Sequence, residues 1–154
     1  MNKKFSAGAW FAIAAAILAI VSFVIYSVNI GGAGYFQNAA VGAMPLTWAA
    51  VAALAVAVAV SMVGFKGIAG RLATLLCGAL QIVAPVVLAY CLINLIGGRI
   101  EGLGFIYFSN ADVAKEVQTA ANLSSATWAI ASMVAYGVSM LAAVIASFVD
   151  VKKN

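Results

Sequence analysis

Four stretches of this chain, residues 9–28, 46–64, 72–96 and 126–149, contain no charged residue. Each supplies about 19–25 residues, enough to cross a hydrocarbon layer of about 30 Å at about 1.5 Å per helical residue. Only helices and closed barrels satisfy the backbone inside lipid. Barrel strands would be shorter and would alternate apolar with polar residues; these runs do neither. Of the 154 residues, 66% are hydrophobic and 8% charged, against about 25% charged in a soluble domain. The sequence therefore predicts an all-α membrane protein, a bundle of four transmembrane helices forming a single domain over residues 1–154. The first run outlasts the apolar core of a signal peptide and no small-residue cleavage pattern follows it, so it is expected to be a retained helix.

Orientation follows from the basic residues. Lys3, Lys4, Lys66, Arg71, Lys152 and Lys153 fall on one side of the four runs, Arg99 and Lys115 on the other. The positive-inside rule then places both termini in the cytoplasm of a cell bounded by this plasma membrane. The connections near 29–45 and 97–125 face outward, and the second is the larger.

The outer connections share a pattern. Tyr35-Phe36-Gln37-Asn38-Ala39-Ala40-Val41 matches Tyr107-Phe108-Ser109-Asn110-Ala111-Asp112-Val113 at five of seven positions. Asn29 and Gly31-Gly32 precede the first, Asn94 and Gly97-Gly98 the second; Thr47-Trp48-Ala49 and Thr127-Trp128-Ala129 follow. This predicts two tandem helical hairpins, residues 1–64 and 72–154, as a parallel repeat about an axis along the membrane normal. Tyr35, Phe36, Tyr107 and Phe108 are then expected to form an extracellular aromatic platform, with Asn38 and Asn110 capping short helices or bonding across the axis. Asn29 and Asn94 are expected to end their helices before the Gly-Gly pairs. In the second loop, Ser109 or Asn110 can cap a short amphipathic helix with Asp112 in its first turn and Val113 and Val117 on one face. Residues 102–108 are expected to lie against the helices or in the headgroup layer.

Lipid tails are as apolar as leucine, so helix association must draw on close packing and interhelical hydrogen bonds. The fourth run carries Ala131, Ala135, Ser139, Ala143 and Ser147, one every four residues; Ala49, Ala53, Ala57 and Ser61 repeat this in the second. In the third, Pro85 removes the usual partner of the Gln81 carbonyl, and Gln81 is itself polar. A hydrogen bond from Gln81 to Ser139, or failing that Ser61, is expected as polar glue.

Chemistry is sparse. There is no histidine, and the acids are Glu101, Asp112, Glu116 and Asp150, none within an apolar run. His-based triads and common metal sites are excluded, so no cofactor is expected. Cys77 and Cys91 are fourteen positions apart on one helix, about 21 Å of rise and beyond disulfide reach. Scattered bases argue against nucleic acid. Asn122-Leu123-Ser124 fits a glycosylation pattern too commonplace to carry weight. Three functions remain. A non-catalytic subunit, partnered by the bilayer and by itself or another membrane protein, fits best. A channel or small-solute transporter with its pore or site near Gln81 comes second. A lipid-directed enzyme using Arg99, Glu101, Asp112, Lys115 and Glu116 comes last, because those residues read as a solvated face.

Overall fold

The computed structural model describes residues 6–63 and 65–149; Lys3, Lys4, Asp150, Lys152 and Lys153 lie outside them. Among the described residues the fold is all helix: α1 (Ala7–Gly31), a 3₁₀ turn (Met44–Leu46), α2 (Thr47–Met62), α3 (Gly67–Phe108), α4 (Ala111–Val117) and α5 (Ala120–Ser147). The four long helices are apolar and long enough to span a membrane. Consecutive neighbours in the ring α1–α2–α3–α5 pack against each other.

Small residues set the closeness of that packing. Along α1, Gly8, Ala12, Ala15, Ala19, Ser22, Tyr26 and Asn29 are buried. Along α5, Ser125, Ala129, Ser132, Tyr136, Ser139, Ala143 and Ala146 are buried. Both sets step alternately by four and three, the heptad spacing that keeps a seam on one face. A stripe of fours alone turns about 40° per step and winds off that face. The fourth-run stripe is corrected accordingly: Ser139 and Ala143 belong to the seam, while Ala131, Ala135 and Ser147 are half-buried on its flank.

The third helix is where the sequence misleads most. It was expected to stop at residue 96 but continues to Phe108 without a break, 42 residues in all. That is about 63 Å, twice the hydrocarbon thickness. Gly97-Gly98 is therefore no turn, and Asn94 caps nothing: its Nδ2 donates to Tyr90 O one turn back, at 2.8 Å. Pro85 sits buried inside the helix. Segment 102–108 is its last two turns.

α2 is the opposite case. It has 16 residues, about 24 Å. Its first residue, Thr47, lies beside Cys91 in α3 and Tyr136 in α5, far from the end of either helix. The rest of that corner of the bundle is filled by residues 32–46, an irregular strap descending from the end of α1 with Phe36, Ala43 and Met44 buried. The two matched heptapeptides consequently take different local structures. Residues 35–41 belong to the strap, with Asn38 at φ 57°; residues 107–113 comprise the end of α3, a cap and the start of α4. Asn110 does cap α4, accepting from Val113 N at 3.0 Å, with Asp112 in the first turn.

Candidate functional site

An irregular segment inside a helical bundle must find partners for its peptide groups, because no water or ladder supplies them. The strap finds them one by one. Phe36 N donates to Ser125 Oγ at 3.1 Å. Asn38 N donates to Ile30 O at 2.8 Å. Ala39 O accepts from Arg99 Nη2 at 2.7 Å. Val41 N donates to Tyr26 Oη at 2.6 Å. Ala43 O accepts from Cys91 Sγ at 3.3 Å. Four buried polar side chains on three helices thus hold backbone that helix formation does not satisfy. Beneath them Thr47 Oγ1 and Tyr136 Oη share a hydrogen bond of 2.7 Å.

Glycines make room for the strap. A Cβ on Gly98 would lie 3.0 Å from Val41, and one on Gly102 would lie 2.5–2.8 Å from the rings of Tyr35 and Phe36. Gly34, at φ +129°, lets the strap approach α5 so closely that a Cβ there would meet Ala121 O at 2.5 Å. Gly98 and Gly102 of α3 are a groove floor for the strap, so glycine here serves packing and does not end the helix.

Arg99 is the residue that sequence reasoning placed wrongly. It is 1% exposed, not part of a solvated face. Its guanidinium lies 4.7 Å from the Phe36 ring centroid and 5.9 Å from that of Tyr26. Asn29 is equally buried and crosses to α5, its Nδ2 donating to Ser125 O at 2.8 Å; Gly32 N, bonded to Val28 O, closes α1 instead. The signal available in the sequence was one base without a neighbouring base, eight residues before a Tyr-Phe pair.

The aromatic platform divides. Tyr35 packs edge-on to Phe36 and against Phe105, with centroids 5.2 and 6.0 Å apart. Phe36 joins Ile106, Ala126 and Ala129 in a small buried cluster. Tyr107 is half-exposed and Phe108 is 88% exposed. Asn38 and Asn110 are both exposed.

The expected Gln81–Ser139 bond is replaced by another. Gln81 Nε2 donates to Ala146 O at 2.8 Å and Val149 O at 3.3 Å, tying α3 to the last turn of α5. Carbonyls in the last turn of a helix lack their i+4 partners and are stronger claimants than a hydroxyl already inside a seam. Ser139 Oγ is buried without a partner, and Ser61 Oγ returns to Val58 O in its own helix. Gln81→Leu is expected to lower stability by about 0.6–1.7 kcal/mol, read by unfolding in mild detergent. No change, or a loss several times larger, would contradict this assignment.

Elsewhere, a groove of about 400 Å³ near the α2–α3 turn is lined by Val60, Phe65, Ala69, Leu72, Ala73 and Leu76. All are apolar, so it offers shape but no chemistry. Among the described residues no group of three His, Cys, Asp or Glu side chains is placed to hold a metal ion. No family model matches this chain, and neither a curated protein nor a solved structure is significantly similar to it.

Proposed function

We propose that this protein is a non-catalytic membrane subunit that works by associating with a second copy or another membrane protein. The observation that carries this reading is the open face of α3. Ile93, Gly97, Ile100 and Gly104 recur at helical spacing; Ile93 and Ile100 are 67% and 60% exposed. A Cβ added at Gly97 or Gly104 would meet nothing within 4 Å. Glycine in a membrane helix admits another backbone closely, and no described residue uses that space.

In this reading the strap and α4 mark the extracellular side of a plasma-membrane protein, with Lys66 and Arg71 in the cytoplasmic turn and both termini beside them. The duplicated outer sequence would be a relic of two parallel hairpins whose loops have since diverged in structure. With the Gln81 amide engaged by α5, a pore near Gln81 gains no support from the geometry.

The test is the mass of the intact complex purified in mild detergent. The double variant Gly97→Leu/Gly104→Leu is expected to keep its helicity by circular dichroism, since both sites are open within the chain, and to shift the complex toward the single-chain mass. A wild-type protein that runs as a single chain, in detergent and in lipid nanodiscs alike, would end this reading.

A further inference from the structure

The outward face of α3 is longer than a bilayer can cover. Starting at Ile68 and stepping alternately by four and three, the helix reaches Tyr107 in twelve positions, all apolar or aromatic and none buried. They run about 58 Å, against about 30 Å of hydrocarbon. Even at a tilt of about 40°, the steepest usual, the face keeps a height of about 44 Å. A helix surface turned to water carries polar side chains, yet the charged residues of α3, Arg71, Arg99 and Glu101, occupy none of the twelve positions.

Part of the excess can be located. Gln81 bonds to the last turn of α5, so residues 67–80 run past the end of that helix by about 21 Å. Their inner side packs on α2, where Cys77 Sγ donates to Ala57 O at 3.4 Å. Their outer side is bare among the described residues: Ile68, Leu72 and Leu75 are 79%, 62% and 70% exposed.

We propose that a second copy of this chain covers this face, the two α3 helices pairing in parallel as a coiled coil from Ile68 to Tyr107. The proposal rests on the subunit reading above and names its partner. An occupant must be apolar over the same length, cross the same membrane and keep to one face of α3. Lipid fails the first requirement; α3 of another copy meets all three. Copies inserted with the same topology hold their α3 helices parallel, and a twofold axis then brings each seam residue onto its own counterpart. The four-three step keeps the seam on one face as the helices supercoil. The opposite face, with Cys77, Ala84, Leu88, Cys91 and Leu95, stays buried in the bundle, so pairing disturbs no internal contact. Gly97 and Gly104 border the seam, and the open space over them lets the two backbones approach.

The test is disulfide cross-linking of the full chain in membranes, before detergent is added. Leu75→Cys, Ile93→Cys and Ile100→Cys sample the seam from one end to the other. Val134→Cys and Leu141→Cys on α5, at 60% and 57% exposed, are comparably open controls. The parent, whose Cys77 and Cys91 are buried, is the blank. Each seam variant is expected to give at least about fivefold more linked dimer than either control, because a disulfide requires Cα atoms within about 7 Å. Linkage at both Leu75→Cys and Ile100→Cys requires parallel helices, since an antiparallel pair sets those ends apart. Equal linkage on α3 and α5, no linkage, or linkage at Ile93→Cys without Leu75→Cys would overturn the proposal. So would seam cysteines that link only to a different protein, an outcome that leaves the subunit reading standing. A single-chain mass for the wild type in detergent and in nanodiscs removes that reading itself, and this proposal with it.

Discussion

Gly34→Ala is expected to destabilise this protein by about 3 kcal/mol or more, although it adds a single methyl group. Two independent costs meet at this position. The backbone stands at φ +129°, a region closed to L side chains. The new Cβ would also lie 2.5 Å from Ala121 O and 2.7 Å from Ser125 Cβ. Ala121 O belongs to the first turn of α5 and cannot swing aside as a flexible side chain would. Relief requires the strap to lift, and lifting it undoes the Phe36–Ser125 bond. Gly42→Ala is the control. It lies in the same strap, outside the positive-φ region, and its Cβ would meet nothing within 4 Å. Its effect should stay within about 0.5 kcal/mol. Thermal unfolding of the two variants side by side is the measurement; equal stabilities would show that the strap does not seat against α5 as described.

The parts of this fold that were legible from sequence are those governed by solvation alone. A run of about twenty uncharged residues has few options in a cell, so the four spans and their number could be read directly. The Asn110 cap with Asp112 behind it was legible for a similar reason, since capping depends on nearest neighbours. What failed depended on residues distant in sequence. Gly97-Gly98 looks like a helix stop until Val41 is known to lie against Gly98. Asn29 looks like a cap until Ser125, on another helix, supplies its carbonyl. Arg99 looks solvated because most lone bases are; only a segment with unmet carbonyls justifies burying it, and nothing within α3 announces that segment. The alanine stripes misled differently. In a chain so rich in alanine many i, i+4 series exist, and only the three-four alternation of α1 and α5 marks the face that packs.

The same reasoning predicts that Gly102→Val will release the strap without unfolding the bundle. Its Cβ would lie 2.5 Å from Tyr35 Cε1 and 2.6 Å from Phe36 Cε1. Unlike the backbone facing Gly34, these are ring edges, and they sit on a segment that can leave. Replacing a helix-interior glycine also recovers a few tenths of a kcal/mol of helix propensity for α3. Overpacking typically costs about 1–3 kcal/mol, comparable to what two ring contacts and the neighbouring hydrogen bonds return. The balance therefore tips at the strap and not at the helices. Cys91 reports the result. It is 0% exposed, its Sγ donating to Ala43 O at the foot of the strap. In a Cys77→Ala background, which leaves Cys91 the sole thiol, a membrane-impermeant maleimide should leave the wild-type strap unlabelled. With Gly102→Val, labelling should rise at least tenfold while helicity by circular dichroism stays unchanged. Gly78→Ala, on the same helix with open space around it, should leave labelling at the wild-type level. Labelling of Cys91 in the parent protein at the variant's rate would mean that the strap does not close that corner of the bundle. Loss of helicity in Gly102→Val would mean that the strap is not separable from the helices it covers.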